Sequence, residues 1–332
     1  MQPIQELAVE AFDSEFESLI RAALPFVVRG LTRHWPAVEK GQGDLGDFVG
    51  YLSASATDED LTAFELAPEH KGRLFYTEDF SDFNFQRTRL SLSEALGRIV
   101  DFNREQLVPT LYIGSTNLDH WVPSFNEENP QPFPQSKAIA SLWVSNRSTV
   151  APHFDVPHNL ATVVSGKRRF TLFPPDQLKN LYIGPLDKTP AGQPISLVDV
   201  NAPDFSQFPR FKEAQMRALT SELYPGDAIF IPSLWWHQVD ALAPMNTLVN
   251  YWWRTETGHS GPPLAALQHA LLAFKDLDPV QRRAWRALFN FYVFEAEDDN
   301  FRHIPPNARG ILAPIGKRLG EKIKANIRQL LR

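Results

Sequence analysis

Apolar positions change their period twice along the chain. In the first part they recur at helical spacing in "DSEFESLIRAAL" and "SLSEALGRIVDF", with short apolar runs such as "PFVVRG" and "TLYIGS" between. That mixture predicts packing helices and a few short strands over residues 1 to about 138. From about 139 to 256 the pattern becomes a series of short β-rich runs, "SLWVS", "NLATVVSG", "RRFTLFPP", "DAIFIP" and "NTLVNYWW", separated by Pro, Gly, Asn and Asp. Regular short strands with turn residues between them predict a sandwich or barrel, not a parallel α/β sheet. Helical spacing then returns. Leu264, Leu267, Leu271 and Phe274 share one stripe, Asp278-Pro279 reads as the cap of the next helix, and Ile315, Leu319, Ile323, Ile327 and Leu330 line up on the last. No internal repeat or low-complexity linker interrupts the chain. The pattern therefore predicts a mainly β chain with helices (α+β), divided into one compact domain over 1–262, with its barrel at about 139–256, and a helical region over 263–332.

At 332 residues the chain can bury a sizeable core without covalent staples. It has no cysteine, which excludes disulfides, thiolate metal sites and cysteine nucleophiles, so any metal must be held by His, Asp or Glu. The acidic start "MQPIQELAVEAFDSEFESLI" lacks the cationic and apolar regions of a secretory signal, and no apolar run approaches bilayer length. The expected compartment is the cytoplasm. A formal charge of −6 argues against a general nucleic-acid binder.

Nine histidines are scattered over the chain, yet two of them fall with an aspartate inside "APHFDVPHNL". In a strand, residues i and i+2 share a face, so His153 and Asp155 can point into a barrel while Phe154 points away. Alone the H-x-D pattern is weak, because a shuffled chain of this composition would show about 0.5 occurrences. The weight comes from "YPGDAIFIPSLWWHQV": a Gly226-Asp227 turn, a buried strand, a terminating Pro232, and then His237 as a third ligand. Two imidazoles and one carboxylate on one face of an ion form the facial triad of non-haem Fe(II) oxygenases, which leaves positions open for co-substrate and dioxygen. In "GKRRFTLF", alternation puts Arg168, Phe170 and Leu172 on one face, so an otherwise apolar face carries one inward guanidinium. A buried cation needs an anionic partner, and a dicarboxylate co-substrate would provide one; an acidic neighbour within the chain is the plainer alternative. Asn159 and Asn250 flank the proposed ligands and can hydrogen-bond a carboxylate. His158 reads as a surface or supporting residue and not a fourth ligand. Trp235 and Trp236 either line a substrate cleft or belong to the core.

Taken in order, "LPFVVRGLTRHWPA", "APHFD....N", "SGKRRFTLFPPDQ", "LVDVNAPDFSQFPRF", "PGDAIFIPSLWWHQV" and "VNYWW" resemble the cupin-like, JmjC-related 2-oxoglutarate oxygenases, and are similar to the asparaginyl hydroxylase that acts on the hypoxia-inducible factor. The likeness covers about residues 20 to 255. It implies a double-stranded β-helix (jelly-roll) core with amino-terminal elaboration and carboxy-terminal helices. It also implies Fe(II) held by His153, Asp155 and His237, and 2-oxoglutarate held by Arg168, where the likeness has lysine, with Asn159, Asn250 and, more loosely, Tyr112 around it. Such enzymes act on proteins, modified RNA or small molecules; the likeness favours a protein or peptide side chain. A non-catalytic metal-binding cupin, serving as sensor or scaffold, is the alternative. Val150 stands where the likeness has threonine, and the adjacent Thr149 would face the other way. The carboxy-terminal helices fit a homodimerisation element. On that reading, Lys317, Arg318, Lys322, Lys324, Arg328 and Arg332, set against Glu321, are the solvated face of a helix that buries its apolar stripe in a dimer, in preference to a nucleic-acid or membrane surface.

Overall fold

A computed structural model describes residues 1–102, 107–134, 137–255 and 261–331; Arg332 of the basic helix face lies outside them. Contacts divide the chain into two compact units, Met1–Arg254 and Thr255–Arg332.

In the first unit the short alternating runs build two packed sheets. The six-stranded sheet runs in the order Gln2–Pro3, Leu219–Leu223, Arg168–Phe173, Trp236–Ala241, Ser148–Phe154, Arg73–Leu74. The nine-stranded sheet runs Gln5–Leu7, Phe26–Val28, Ala228–Ile231, His158–Ser165, Asn246–Trp253, Ile139–Ser145, Thr110–Asn117, Leu61–Leu66, Gln86–Leu90. Four adjacent strands from each sheet, all between Ile139 and Trp253, form the double-stranded β-helix that the sequence resemblance implied. The strand pairings inside each set of four are antiparallel.

Burial explains why these runs read as they do. In His158–Ser165, Ala161 and Val163 pack between the sheets with Phe170, Leu172 and Ile229. Leu160 and Val164, on the opposite face, belong to the cluster that contains Phe12, Phe16, Val38, Phe48 and Leu96 of the amino-terminal helices Val9–Ala22, Pro36–Gln42, Leu45–Ser55 and Leu92–Phe102. A strand covered on both faces carries apolar residues on both, and each such side chain contributes about 1.5–3 kcal/mol on burial. The outer face of the six-stranded sheet is covered by the excursion between Phe173 and Leu219, where Leu181, Val198 and Phe211 meet Phe173 and Trp236.

One irregularity positions the site. His237 pairs with His153, but Val239 pairs with Val150, so Ser148–Phe154 carries one extra residue in a bulge at Ala151-Pro152. Simple alternation would put Val150 and His153 on opposite faces. The bulge turns both towards the barrel interior, and Thr149 turns outward to donate to Asp240 Oδ1 at 2.8 Å.

In the second unit Asp278 caps the helix Pro279–Phe289, its carboxylate accepting from the N–H groups of Val280 and Gln281. The helix Pro263–Phe274 buries none of its residues, and Leu267 and Leu271 are exposed. On the helix Lys317–Leu330, Ile327 and Leu330 are exposed too, while Glu321 pairs with Lys324 at 3.3 Å. Among the described residues no helix is long and apolar enough to cross a membrane.

Candidate metal centre

His153 is the last residue but one of its strand, Asp155 directly follows that strand, and His237 is the second residue of the strand paired alongside. Cross-strand pairing brings the two imidazoles to a centroid distance of 4.3 Å, and Asp155 Oδ2 lies 3.6 Å from His237 Nε2. One ligand atom from each of the three residues falls within 4.8 Å of the others. The loop that delivers His237 is tethered to the loop that delivers Asp155. Leu234, in the left-handed region at φ 66°, donates its N–H to the Asp155 carbonyl at 2.9 Å.

Hydrogen bonds orient each group. The Nδ1 of His153 lies 3.0 Å from the Ala151 carbonyl, and that of His237 lies 3.0 Å from the Trp235 carbonyl. A carbonyl only accepts, so each Nδ1 carries the proton and each Nε2 presents a lone pair, the arrangement of a metal-ligating histidine. Asp155 Oδ2 accepts from Asn159 Nδ2 at 3.5 Å, Asn159 Oδ1 accepts from Asn250 Nδ2 at 3.2 Å, and Asn250 Oδ1 accepts from Trp143 Nε1 at 2.7 Å. Three neutral groups thus hold the carboxylate without neutralising it. Trp143 has no recognisable signal in "SLWVS"; its role exists only because Ile139–Ser145 pairs with Asn246–Trp253.

Burial, and then the neighbouring His153, push the His237 imidazole down to about 4. Its unfolded value is near 6.5, so in the metal-free chain the stabilisation from keeping it neutral is complete above that value and is lost as pH falls towards 4. Metal-free protein should lose on the order of 3 kcal/mol of unfolding free energy from this group between those limits. Urea unfolding at pH 7.5 and 4.5 measures it, and a His237→Gln variant with the same pH slope would refute the assignment.

Arg168 lines the same interior space and is 3% exposed. Its Nη2 reaches the Trp143 carbonyl at 3.4 Å and its Nε has no partner. No carboxylate pairs with it among the described residues, so the acidic-neighbour alternative is not met. Burial lowers it to about 10, which leaves it charged at neutral pH. Tyr112 shares the space and is pushed up by burial. Val150 contributes a methyl-lined wall where the resemblance has a hydroxyl.

The remaining residues fall elsewhere. His158 Nδ1 accepts from the Ser233 N–H at 3.2 Å, and its ring lies 5.7 Å from both Phe230 and Trp253, away from the ligand cluster. Trp235 and Trp236 are core residues: Trp235 donates to the Ala23 carbonyl, and Trp236 meets the edge of Phe154. The space beside His153 is lined instead by Phe64, Leu74, Phe85, Gln193 and Ile195, which the sequence reading did not single out.

Two imidazoles, a carboxylate and an unpaired buried guanidinium inside a double-stranded β-helix define a cupin of the JmjC type. A family model for the cupin-like domain matches residues 13–259, and the chain belongs to that family. The chain is similar to human HSPB1-associated protein 1, 33% identical over 152 residues that cover 44% of this chain and 30% of that protein. It is also similar to lysine-specific demethylase JMJ31 of Arabidopsis thaliana, 27% identical over 269 residues, 73% of this chain and 48% of the relative. A third similarity is to tRNA wybutosine-synthesizing protein 5 of Danio rerio, 36% identical over 102 residues, 31% of this chain and 28% of the relative. The chain spans less than half the length of these curated relatives. At the level of the family they support an oxidoreductase of the 2-oxoglutarate- and Fe(II)-type.

Proposed function

We propose that this chain is an Fe(II)- and 2-oxoglutarate-dependent dioxygenase that hydroxylates a C–H bond of a protein or peptide side chain, releasing succinate and carbon dioxide. The observation that carries the reading is the pairing of two complementary deficits in one interior. Three donor atoms converge with no protein cation among them, and a buried guanidinium lining the same space has no anion among the described residues. The donor set suits Fe(II), and the fork of Arg168 suits the distal carboxylate of a dicarboxylate.

When bound, iron and 2-oxoglutarate supply the oxidising chemistry. The chain's own residues do the rest. His153 and His237 offer Nε2 lone pairs from fixed tautomers, Asp155 contributes the negative charge, and the Trp143–Asn250–Asn159 relay keeps that carboxylate aimed. Arg168 orients the co-substrate, and Val150, Phe170 and Leu248 exclude water from the space between.

A side chain of a polypeptide is favoured by the lining beside His153, which is apolar and carries no lysine or arginine. An RNA substrate calls for a basic approach to the metal. The name of the demethylase relative points the same way. The absence of cysteine suits a reducing compartment, and we place the protein in the cytoplasm. Release of succinate from 2-oxoglutarate by protein loaded anaerobically with Fe(II) and then exposed to air tests the reading. If calorimetry also detects no 2-oxoglutarate binding to the metal-loaded protein, the hydroxylase gives way to a metal-binding cupin without turnover.

The exposed apolar residues of the carboxy-terminal helices support a homodimer formed through them. Replacing Leu319 and Ile323 together with glutamate is expected to leave a monomer in light scattering. An unchanged assembly would show that those helices pack only within their own chain.

A further inference from the structure

We propose that Gly114 is a positioning residue for the metal centre, fixing the indole of Trp143 and, through it, the carboxylate of Asp155. The inference rests on Asp155 as a metal ligand and not on which reaction the metal serves. The strand Thr110–Asn117 pairs with Ile139–Ser145, and Ile113 lies opposite Val144 while Thr116 lies opposite Leu142. Gly114 and Ser115 therefore stand together opposite the single residue Trp143, a bulge at the residue where the hydrogen-bond chain to Asp155 begins. Ser115 takes the left-handed conformation at φ 55°. Gly114 does not, so its backbone would tolerate a side chain and the glycine is required by space alone.

Two rings occupy that space. A Cβ on Gly114 would come within 2.8 Å of Trp143 Cζ3 and of Tyr112 Cε1, and within 3.1 Å of Trp143 Cε3. Carbon contacts are most favourable at about 3.5–4.0 Å, so a methyl group there must push a ring aside by roughly 0.7 Å. Neither ring is free to give way. Tyr112 is buried in a cluster with Leu66 and Leu74, its ring 6.2 Å from that of Phe64. The indole of Trp143 stands edge-to-face with Trp252 at a centroid distance of 5.8 Å, and its Nε1 donates to Asn250 at 2.7 Å.

An indole is a rigid bicycle. Struck on its six-membered ring, it cannot shift that ring without moving Nε1 as well. Displacement of the donor by a few tenths of an ångström, or its rotation out of line, weakens the bond to Asn250 Oδ1, because a hydrogen bond falls off steeply with misalignment. The Asn250 amide then loses the contact that fixes its rotation, and the same amide donates to Asn159, which donates to Asp155. Groups that orient a ligating side chain typically account for about 10–100-fold in metal affinity. Gly114 acts at one remove from that chain, by leaving the indole where Asn250 meets it.

The test is a double-mutant cycle read as the affinity of the full chain for Co(II), measured by calorimetry. Gly114→Ala and Trp143→Phe are each expected to weaken Co(II) binding by about tenfold. Combined, they should weaken it no more than about threefold beyond Trp143→Phe alone, because no indole N–H is left to displace. Independent effects would multiply to about a hundredfold and overturn the proposal. Wild-type affinity in Gly114→Ala, with or without a lower melting temperature, would make the glycine a packing residue only and overturn it too. Ser115→Gly alters the bulge without placing an atom against either ring and should keep wild-type affinity; a loss equal to that of Gly114→Ala would assign the effect to the bulge instead. If Gly114→Ala does not fold, the cycle is run in a Tyr112→Leu background, where one of the two rings is gone and the indole is still struck. Co(II) binding by wild type without turnover of 2-oxoglutarate would leave this inference standing and remove the hydroxylase reading. Absence of Co(II) binding by wild type would overturn the inference.

Discussion

Asp155→Ala is expected to eliminate succinate release from 2-oxoglutarate while leaving the chain folded. Asp155 supplies the only negative charge among the three converging donors, so its loss leaves two neutral imidazoles to hold a divalent ion. The effect should exceed the roughly 10–100-fold cost of losing a residue that merely supports a ligand. Asp155→Asn is the sharper variant, because an amide keeps the size and can still accept from Asn159 while removing the charge. Metal affinity, followed by calorimetry beside turnover, should fall in both. Retention of wild-type turnover in either would remove Asp155 from the metal centre and with it the hydroxylase reading.

Arg168→Leu should produce two effects of opposite sign. Binding of 2-oxoglutarate to metal-loaded protein should weaken by about 2–5 kcal/mol, the usual consequence of truncating one partner of a buried, hydrogen-bonded charge pair. The metal-free protein, in contrast, should become more stable. Its guanidinium is buried with one unpaired nitrogen and no carboxylate, and an apolar residue of similar reach removes that desolvation penalty. Arg168→Lys retains the charge but not the planar fork, and should fall between the two in binding. Calorimetry reads the first effect and thermal melting of the metal-free protein the second. Unchanged 2-oxoglutarate binding in Arg168→Leu would show that the cation serves something other than the co-substrate. Lost binding with lost stability would show instead that Arg168 holds the barrel together.

These two residues also mark how far local pattern reaches. Arg168 was placed by counting in twos along "RRFTLF", and the structure shows Arg168, Phe170 and Leu172 facing inward together. Counting in twos succeeds there because Arg168–Phe173 pairs in unbroken register with both neighbouring strands. It fails seventeen residues earlier. Between Val150 and His153 the bulge at Ala151-Pro152 shifts the phase, and both side chains face the same interior despite their odd separation. The tryptophans after Pro232 show a similar limit. Their bulk signals burial, but whether an indole lines a cleft or the core depends on what covers it, and Ala23 and Phe154 come from distant parts of the chain.

The sequence by itself determined the order of helices and strands, the residue types able to hold a metal, and the inward guanidinium, because each follows from periodicity or composition within a few residues. Only the tertiary structure decided that His237 lies beside His153 and that Trp143 steadies Asp155 through two asparagines. Each of those depends on register between strands distant in the chain, and register is set by the summed burial of both sheet faces.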